Sequence, residues 1–127
     1  MGSLNMDGPY DFNINSIDVN VTKVCGGNYA LGIEDKITGN FHVTYVGRSD
    51  SDVKDRLKKQ LSETKSITTR YETKNVSFKY SYASSQKEAF DKECYNYHGF
   101  VRSKKLTNNG HPEKPKDESW KCPVCNE

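Results

Sequence analysis

Two runs of residues joined by a short polar turn constrain the fold of this chain more than any other feature. Residues 28–34 and 41–46 are rich in apolar and aromatic side chains and predict two β-strands. Turn-forming residues lie between them: Asp35, Thr38, Gly39 and Asn40. Because strands with so short a connection pair in opposite directions, the sequence predicts an antiparallel β-hairpin.

The segment after the hairpin predicts a helix. Apolar residues recur every four positions, at Val53, Leu57 and Leu61. They share one face of a helix that is expected to end near Ser62. Three residues that favour a helix N-terminus come before the first of them: Ser49, Asp50 and Asp52.

A third strand and a second helix are predicted further along. Apolar and polar residues alternate cleanly over 76–82, which is typical of a strand. Ser85, with Glu88 three positions later, then forms a capping-box pattern. The helix that it begins should continue to about His98, where Gly99 can end it.

The whole pattern indicates one α/β domain of the α+β type, with a small three-stranded, mainly antiparallel sheet flanked by helices. At 127 residues the chain is too short for two independent cores. We expect a flexible leader at residues 1–10, the domain at 11–115, and a tail at 116–127 that carries Cys-x-x-Cys. Imperfect alternation over residues 12–24 predicts an extended segment, a candidate extra edge strand.

Charge alone identifies no partner, because 19 basic and 17 acidic residues leave a formal net charge of +2. Two basic clusters could follow a phosphate backbone or simply form solvated surface: Lys54, Lys58 and Lys59 around Arg56, and Arg102, Lys104 and Lys105. No apolar run approaches the roughly 20 residues of a membrane span, and no signal-peptide core is evident at the N-terminus. We therefore expect an intracellular, cytoplasmic protein.

Short motifs in a fixed order resemble those of the GIY-YIG nuclease superfamily. Gly27-Asn28-Tyr29 opens the first strand and Tyr45-Val46-Gly47 closes the second. Arg56 on the first helix and Glu93 on the second match the arginine and the metal-binding glutamate of the family. The resemblance covers roughly residues 26–115 and implies a metal-dependent nuclease, with DNA favoured over RNA as the substrate.

The resemblance also implies roles for these residues. Tyr29 would act as general base, Tyr45 would orient the water or the phosphate, and Arg56 would bind phosphate oxygens. Glu93 would hold Mg²⁺ or Mn²⁺ through a carboxylate oxygen. Asn108 matches an asparagine in the family's closing motif, with Asn109 as the rival assignment.

Three further residues are expected to contact the substrate: Arg48, Lys54 and Gln60. Gln60 departs from the family pattern, because several relatives place a His or Tyr one turn after the arginine to assist proton transfer. Glutamine can hydrogen-bond water but cannot act as an acid or a base. The alternative is therefore a weakly active or inactive nucleic-acid-binding or interaction module that keeps the nuclease fold.

The four cysteines point to a second metal site. Cys122 and Cys125 form a zinc-knuckle half-site, since two intervening residues let both thiolates reach one tetrahedral ion. Cys94 and His98, one turn apart on the second helix, could complete it. Cys25 and His111 are alternative ligands. A knuckle that is free, or that takes ligands from another chain and docks a partner, remains the other interpretation.

Overall fold

The computed structural model describes residues 4–35, 37–67, 76–101, 106, 108, 110–114 and 118–126. Strands and helices follow one another along the chain as β1 (Asp7–Asp11), α1 (Ile14–Asn20), β2 (Gly27–Glu34), β3 (Phe41–Ser49), α2 (Val53–Ile67), β4 (Val76–Tyr82) and α3 (Gln86–Phe100). None of the helices in these described ranges combines the length and the apolar character needed to cross a membrane.

Within these described ranges the sheet has four strands in the order β1-β4-β2-β3, and all three pairs are antiparallel. The predicted α+β class is confirmed, whereas the expectation of three strands is wrong. The additional strand is β1, which begins within the residues expected as a leader and pairs with β4. Its Tyr10 packs against Phe78, and this contact with the core explains why so short a segment joins the sheet.

The expected extended segment at residues 12–24 is also wrong, because much of it forms helix α1. Asn13 caps this helix by accepting a hydrogen bond from the backbone N–H of Ser16 at 2.8 Å. Ile17 and Val21 are fully buried, whereas Val19 is 74% exposed. Burial therefore follows the four-residue period of a helix and not the two-residue period of a strand.

The hairpin and the two later helices are confirmed, with small differences at their ends. Asp35 closes the turn: its side chain accepts from the N–H of Ile37 at 2.9 Å, and Gly39 has a positive φ of 78°. Helix α2 runs past Ser62, and helix α3 continues through Gly99. A glycine inside a helix costs only about 1 kcal/mol relative to alanine, so it does not by itself end the helix.

The helices cover both faces of the sheet. Residues that alternate along β2 separate the two cores: Tyr29 and Leu31 face α1 and α2, whereas Ala30 faces α3. The predicted stripe of α2 lies in the first core, where Val53 and Leu57 are fully buried. Because β2 is central and β3 is an edge strand, side chains near the end of β3 can meet residues from either face.

Candidate functional site

A polar cleft of about 200 Å³ lies beside the end of strand β3. It collects side chains from both faces of the sheet, from helices α2 and α3, and from the segment after α3. Its lining residues are Tyr29, Tyr45, Gly47, Arg48, Asp50, Arg56, Glu93 and Glu113. Residues more than 80 positions apart in the sequence thus share one small space.

The register of the hairpin places the two tyrosines together. Tyr29 pairs with Gly47 across β2 and β3, and Leu31 pairs with Tyr45. The rings of Tyr29 and Tyr45 stack with centroids 6.1 Å apart and an interplanar angle of 24°. A Cβ atom at Gly47 would collide with the ring of Tyr29. The glycine of the second motif therefore leaves the space that the tyrosine of the first motif occupies.

Gln60 connects Tyr29 to Arg56. The Tyr29 hydroxyl donates to Gln60 Oε1 at 3.1 Å, and Arg56 Nη2 donates to the same oxygen at 3.3 Å. Arg56 and Gln60 are one turn apart on α2, which brings both side chains to one face. Arg56 also contacts the carboxylate of Glu63 at 3.4 Å. The amide of Gln60 thus fixes the direction of the phenol and of the guanidinium.

The Tyr29 hydroxyl is held protonated by its surroundings. Burial raises its pKa well above the usual value of 10, the neighbouring Tyr45 adds to this rise, and Arg56 opposes it. Because the hydroxyl donates to Gln60, the lone pairs of its oxygen are left as acceptors. At neutral pH the residue is therefore a neutral phenol whose oxygen can accept a hydrogen bond but not a proton, which does not favour the expected role of general base.

On the opposite face of the sheet, Arg48 binds two carboxylates. Its Nη1 donates to Glu93 Oε1, and its Nε donates to Asp50 Oδ1 at 3.0 Å. Its Nη2 donates to the backbone carbonyl of Glu113, and its guanidinium lies 5.3 Å from the ring centroid of Phe90. Burial raises the pKa of Glu93, and the positive charge of Arg48 offsets only part of that rise.

Most of the predicted site residues converge on the cleft. Tyr29, Tyr45, Arg48, Arg56 and Glu93 line it, and Gln60 hydrogen-bonds to two of these residues. The order of the motifs predicted that these polar groups would lie close together.

Two predicted residues lie elsewhere. The ammonium group of Lys54 contacts Asp18 on α1 at 3.3 Å, away from the cleft. The side chain of Asn108 exchanges two hydrogen bonds with the backbone of Val46, at 2.8 and 3.0 Å, and docks its segment on the edge of β3. The rival Asn109, and the basic residues at 102, 104 and 105, fall outside the described residues.

The sequence did not indicate two of the lining residues. Asp50 was interpreted as part of the helix N-terminus, although its position two residues after Arg48 is a signal for an ion pair with it. Glu113 carries no recognisable pattern, because its backbone carbonyl, and not its side chain, binds Arg48. Only the folded chain brings that carbonyl to the guanidinium.

The second cluster lies at the C-terminal end of α3 and could hold a metal ion such as zinc. Its ligand atoms belong to His98, His111, Cys122 and Cys125 and all lie within 4.8 Å of one another. Three of the four proposed ligands are therefore confirmed as neighbours. Cys94 is not among the clustered ligand atoms, whereas the alternative His111 is.

Cys94 is buried for another reason. Its thiol packs against Phe90, Cys122 and the partly buried Trp120. Burial and the adjacent Cys122 raise its pKa, so its thiol stays protonated. The other alternative ligand, Cys25, donates to the carbonyl of Ala83 at 3.5 Å and lies outside the cluster. A cysteine one turn before a histidine can thus serve the core instead of a metal.

No family model, curated protein or solved structure matches this chain. The fold and the two sites define a small α+β protein with a polar cleft and a separate His/Cys cluster. Its function is therefore inferred from the geometry of those residues.

Proposed function

We propose that the protein is a metal-dependent nuclease of the GIY-YIG type that hydrolyses phosphodiester bonds, with DNA as the favoured substrate. One observation carries this proposal: Tyr29, Tyr45, Arg56 and Glu93 line the same cleft although they come from four different elements. A chance arrangement of solvated residues would not place two phenols, a guanidinium and a buried carboxylate around one space of this size.

The cleft suits Mg²⁺ or Mn²⁺ by the chemistry of its donors. Glu93 and Asp50 both present carboxylate oxygens to it, and these are the ligands that such hard cations prefer. Arg48 holds both carboxylates in place, so a bound cation would share them with its guanidinium. When bound, the metal would supply charge neutralisation at the phosphate and a more acidic water.

The protein's own groups would bind and orient the substrate. Arg56 is 34% exposed, and its planar donors suit two phosphate oxygens. Tyr29 points its hydroxyl proton at Gln60, so its oxygen can accept a hydrogen bond from an attacking water. Tyr45, stacked on Tyr29, would hold that water or a phosphate oxygen from the other side.

Nicking of plasmid DNA in the presence of Mg²⁺ or Mn²⁺ tests the proposal. Arg56→Ala and Glu93→Gln should each lower the rate by about 10²–10³-fold, as removal of a group that stabilises developing charge commonly does. Lys87→Ala and Asp91→Asn on α3 are matched controls, because both residues lie outside the cleft and outside the two basic clusters, so their variants should nick at the wild-type rate. Full activity in both cleft variants would overturn the assignment.

A second candidate is a module that binds nucleic acid without cleaving it. The observation that favours it is the internal pairing of the cleft: Gln60 already satisfies Tyr29 and Arg56, and Arg48 already neutralises Glu93. Gel-shift binding to duplex, branched and single-stranded DNA and RNA separates the two candidates. Binding that is weakened by Arg56→Ala, with no cleavage of any substrate in either metal, would establish the second candidate.

A further inference from the structure

The cluster at the end of α3 has the donor set of a structural zinc site. Two thiols and two imidazoles are the ligands that tetrahedral zinc takes in closed protein sites, whereas Mg²⁺ and Ca²⁺ require oxygen. In such a site, bonds of about 2.3 Å to sulfur and 2.0–2.1 Å to nitrogen place the ligand atoms about 3.3–3.8 Å apart. The four atoms lie within 4.8 Å of one another, so a small contraction would close the site.

The histidines are already arranged for coordination. His98 Nε2 is buried and has no hydrogen-bond partner among the described residues. His111 Nδ1 lies 2.8 Å from the carbonyl oxygen of Pro112, which can only accept a hydrogen bond, so in the neutral imidazole Nδ1 carries the proton and Nε2 does not. That Nε2 atom lies 3.3 Å from Cys125 Sγ. One nitrogen is thus an orphan, and the other is held in the tautomer that binds metal.

The two cysteines form a turn that suits metal thiolates. The backbone N–H of Val124 donates to Cys122 Sγ at 3.4 Å, and the N–H of Asn126 donates to the carbonyl of Cys122 at 2.9 Å. Cys122 is fully buried beneath Trp120, and Cys125 lies at the surface. This combination closes one side of the site against water and leaves a route for the ion to enter.

The residues that follow α3 and include the ligand His111 touch the sheet and the cleft. We name Leu106, Asn108 and residues 110–114 the closing segment. Asn108 binds the backbone of Val46 on the edge of β3, and the Glu113 carbonyl accepts from Arg48. His111 lies between these two contacts. A metal bound to His111 would therefore fix the closing segment between β3 and Arg48.

We propose that His98, His111, Cys122 and Cys125 bind one zinc ion, and that this ion fastens the closing segment to helix α3 and thereby keeps the Glu113 carbonyl on Arg48. The inference stands apart from the nuclease proposal, because it concerns metal content and local structure. The described residues after α3 form no helix or strand. Regular secondary structure therefore does not hold this part of the chain in place. Zinc binding would supply the missing free energy for that ordering.

Elemental analysis of the purified full chain tests the ligand set. Wild type should contain one zinc per chain, and Cys122→Ser, Cys125→Ser and His111→Asn should each lose most of it. Cys25→Ser and His42→Asn are matched controls of the same residue types outside the cluster, and both should keep the full amount. Cys94→Ser should also keep it. Retention of zinc in all three ligand variants, or half a zinc per chain in a dimer, would overturn the proposal.

Hydrogen exchange tests the fastening separately. The amide of Val46 donates to Asn108, so its protection reports directly on whether the closing segment is docked. Removal of zinc with a chelator should speed exchange at Val46 by at least tenfold and leave the amides of central strand β2 protected. Re-addition of Zn²⁺, but not of Mg²⁺, should restore it. Unchanged exchange at Val46, or equal loss of protection in β2, would overturn the local role of the ion.

Discussion

Helix α3 serves two regions that differ in almost every chemical respect. Near its middle, Glu93 contributes a carboxylate to a cleft of phenols and guanidinium groups. Five residues later, His98 contributes an imidazole to a cluster of nitrogen and sulfur atoms. At about 100° per residue these side chains point roughly 140° apart, so one helix can support both without mixing their ligands.

The two regions also differ in how complete they are. In the cleft, Tyr29, Arg48 and Glu93 each have protein partners, so its shape is set by the sheet and the helices. In the cluster, the buried His98 Nε2 has no hydrogen-bond partner within the part of the chain that the structure describes. The protein's own contacts therefore set the shape of the cleft, whereas the proposed zinc ion would complete the cluster.

The largest effect is expected for Gly47→Ala, which changes the cleft and leaves the cluster as it is. The new methyl group would collide with the buried ring of Tyr29, and overpacking of this kind costs about 1–3 kcal/mol. We expect a lower free energy of unfolding by chemical denaturation, slower nicking, and unchanged zinc content. Gly110→Ala is the matched control, since a Cβ there meets nothing within 4 Å and should leave all three measurements unchanged. Loss of zinc in Gly47→Ala would show that the two regions are not independent.

Asn108→Ala tests the contact between the two regions and should have a smaller effect. The variant loses two hydrogen bonds to the backbone of Val46, each worth about 1 kcal/mol at most in this half-exposed position. We expect faster exchange of the Val46 amide, less than a tenfold loss of nicking, and full zinc content. If nicking instead falls as far as in Glu93→Gln, Asn108 acts in the cleft itself, and its contact with Val46 does not explain its effect.

The smallest effect is expected at a site that belongs to neither region. Hydrogen bonding to Lys58 and Lys54 lowers the pKa of Asp18 below its usual 3.8. Because the folded pKa lies below the unfolded one, the stabilisation is present above pH 3.8 and is lost as the pH falls through the folded value. Asp18→Asn should therefore lower the thermal midpoint slightly at neutral pH and not at acid pH.

Added salt should reduce the small effect of Asp18→Asn, because the charged groups are exposed. Nicking and zinc content should match those of wild type at neutral pH. A large loss of nicking in this variant would mean that the position of α1 against α2 controls the cleft. The cleft would then not be independent of the surface around Asp18.

Local signals accounted for the hairpin and the later helices. Asp35 and Gly39 form the turn between β2 and β3, and Val53, Leu57 and Leu61 are buried along one stripe of α2. Such features depend on neighbours in the sequence, so they are visible without the fold. Helix α1 was missed because the imperfect alternation over residues 12–24 favours an extended segment, although Asn13 caps a helix there. Strand β1 was missed because its pairing with β4 spans about 70 residues.

By itself, the sequence determined the order of the strands and helices after residue 26, the two motifs of the cleft, and the half-site of Cys122 and Cys125. Only the tertiary structure decided that His111 and not Cys94 belongs to the His/Cys cluster, and that Asn108 hydrogen-bonds to the edge of β3. The physical reason is distance: a ligand set or a docking contact depends on where separate segments meet in space. Spacing along the chain fixes this only within a single turn or helix.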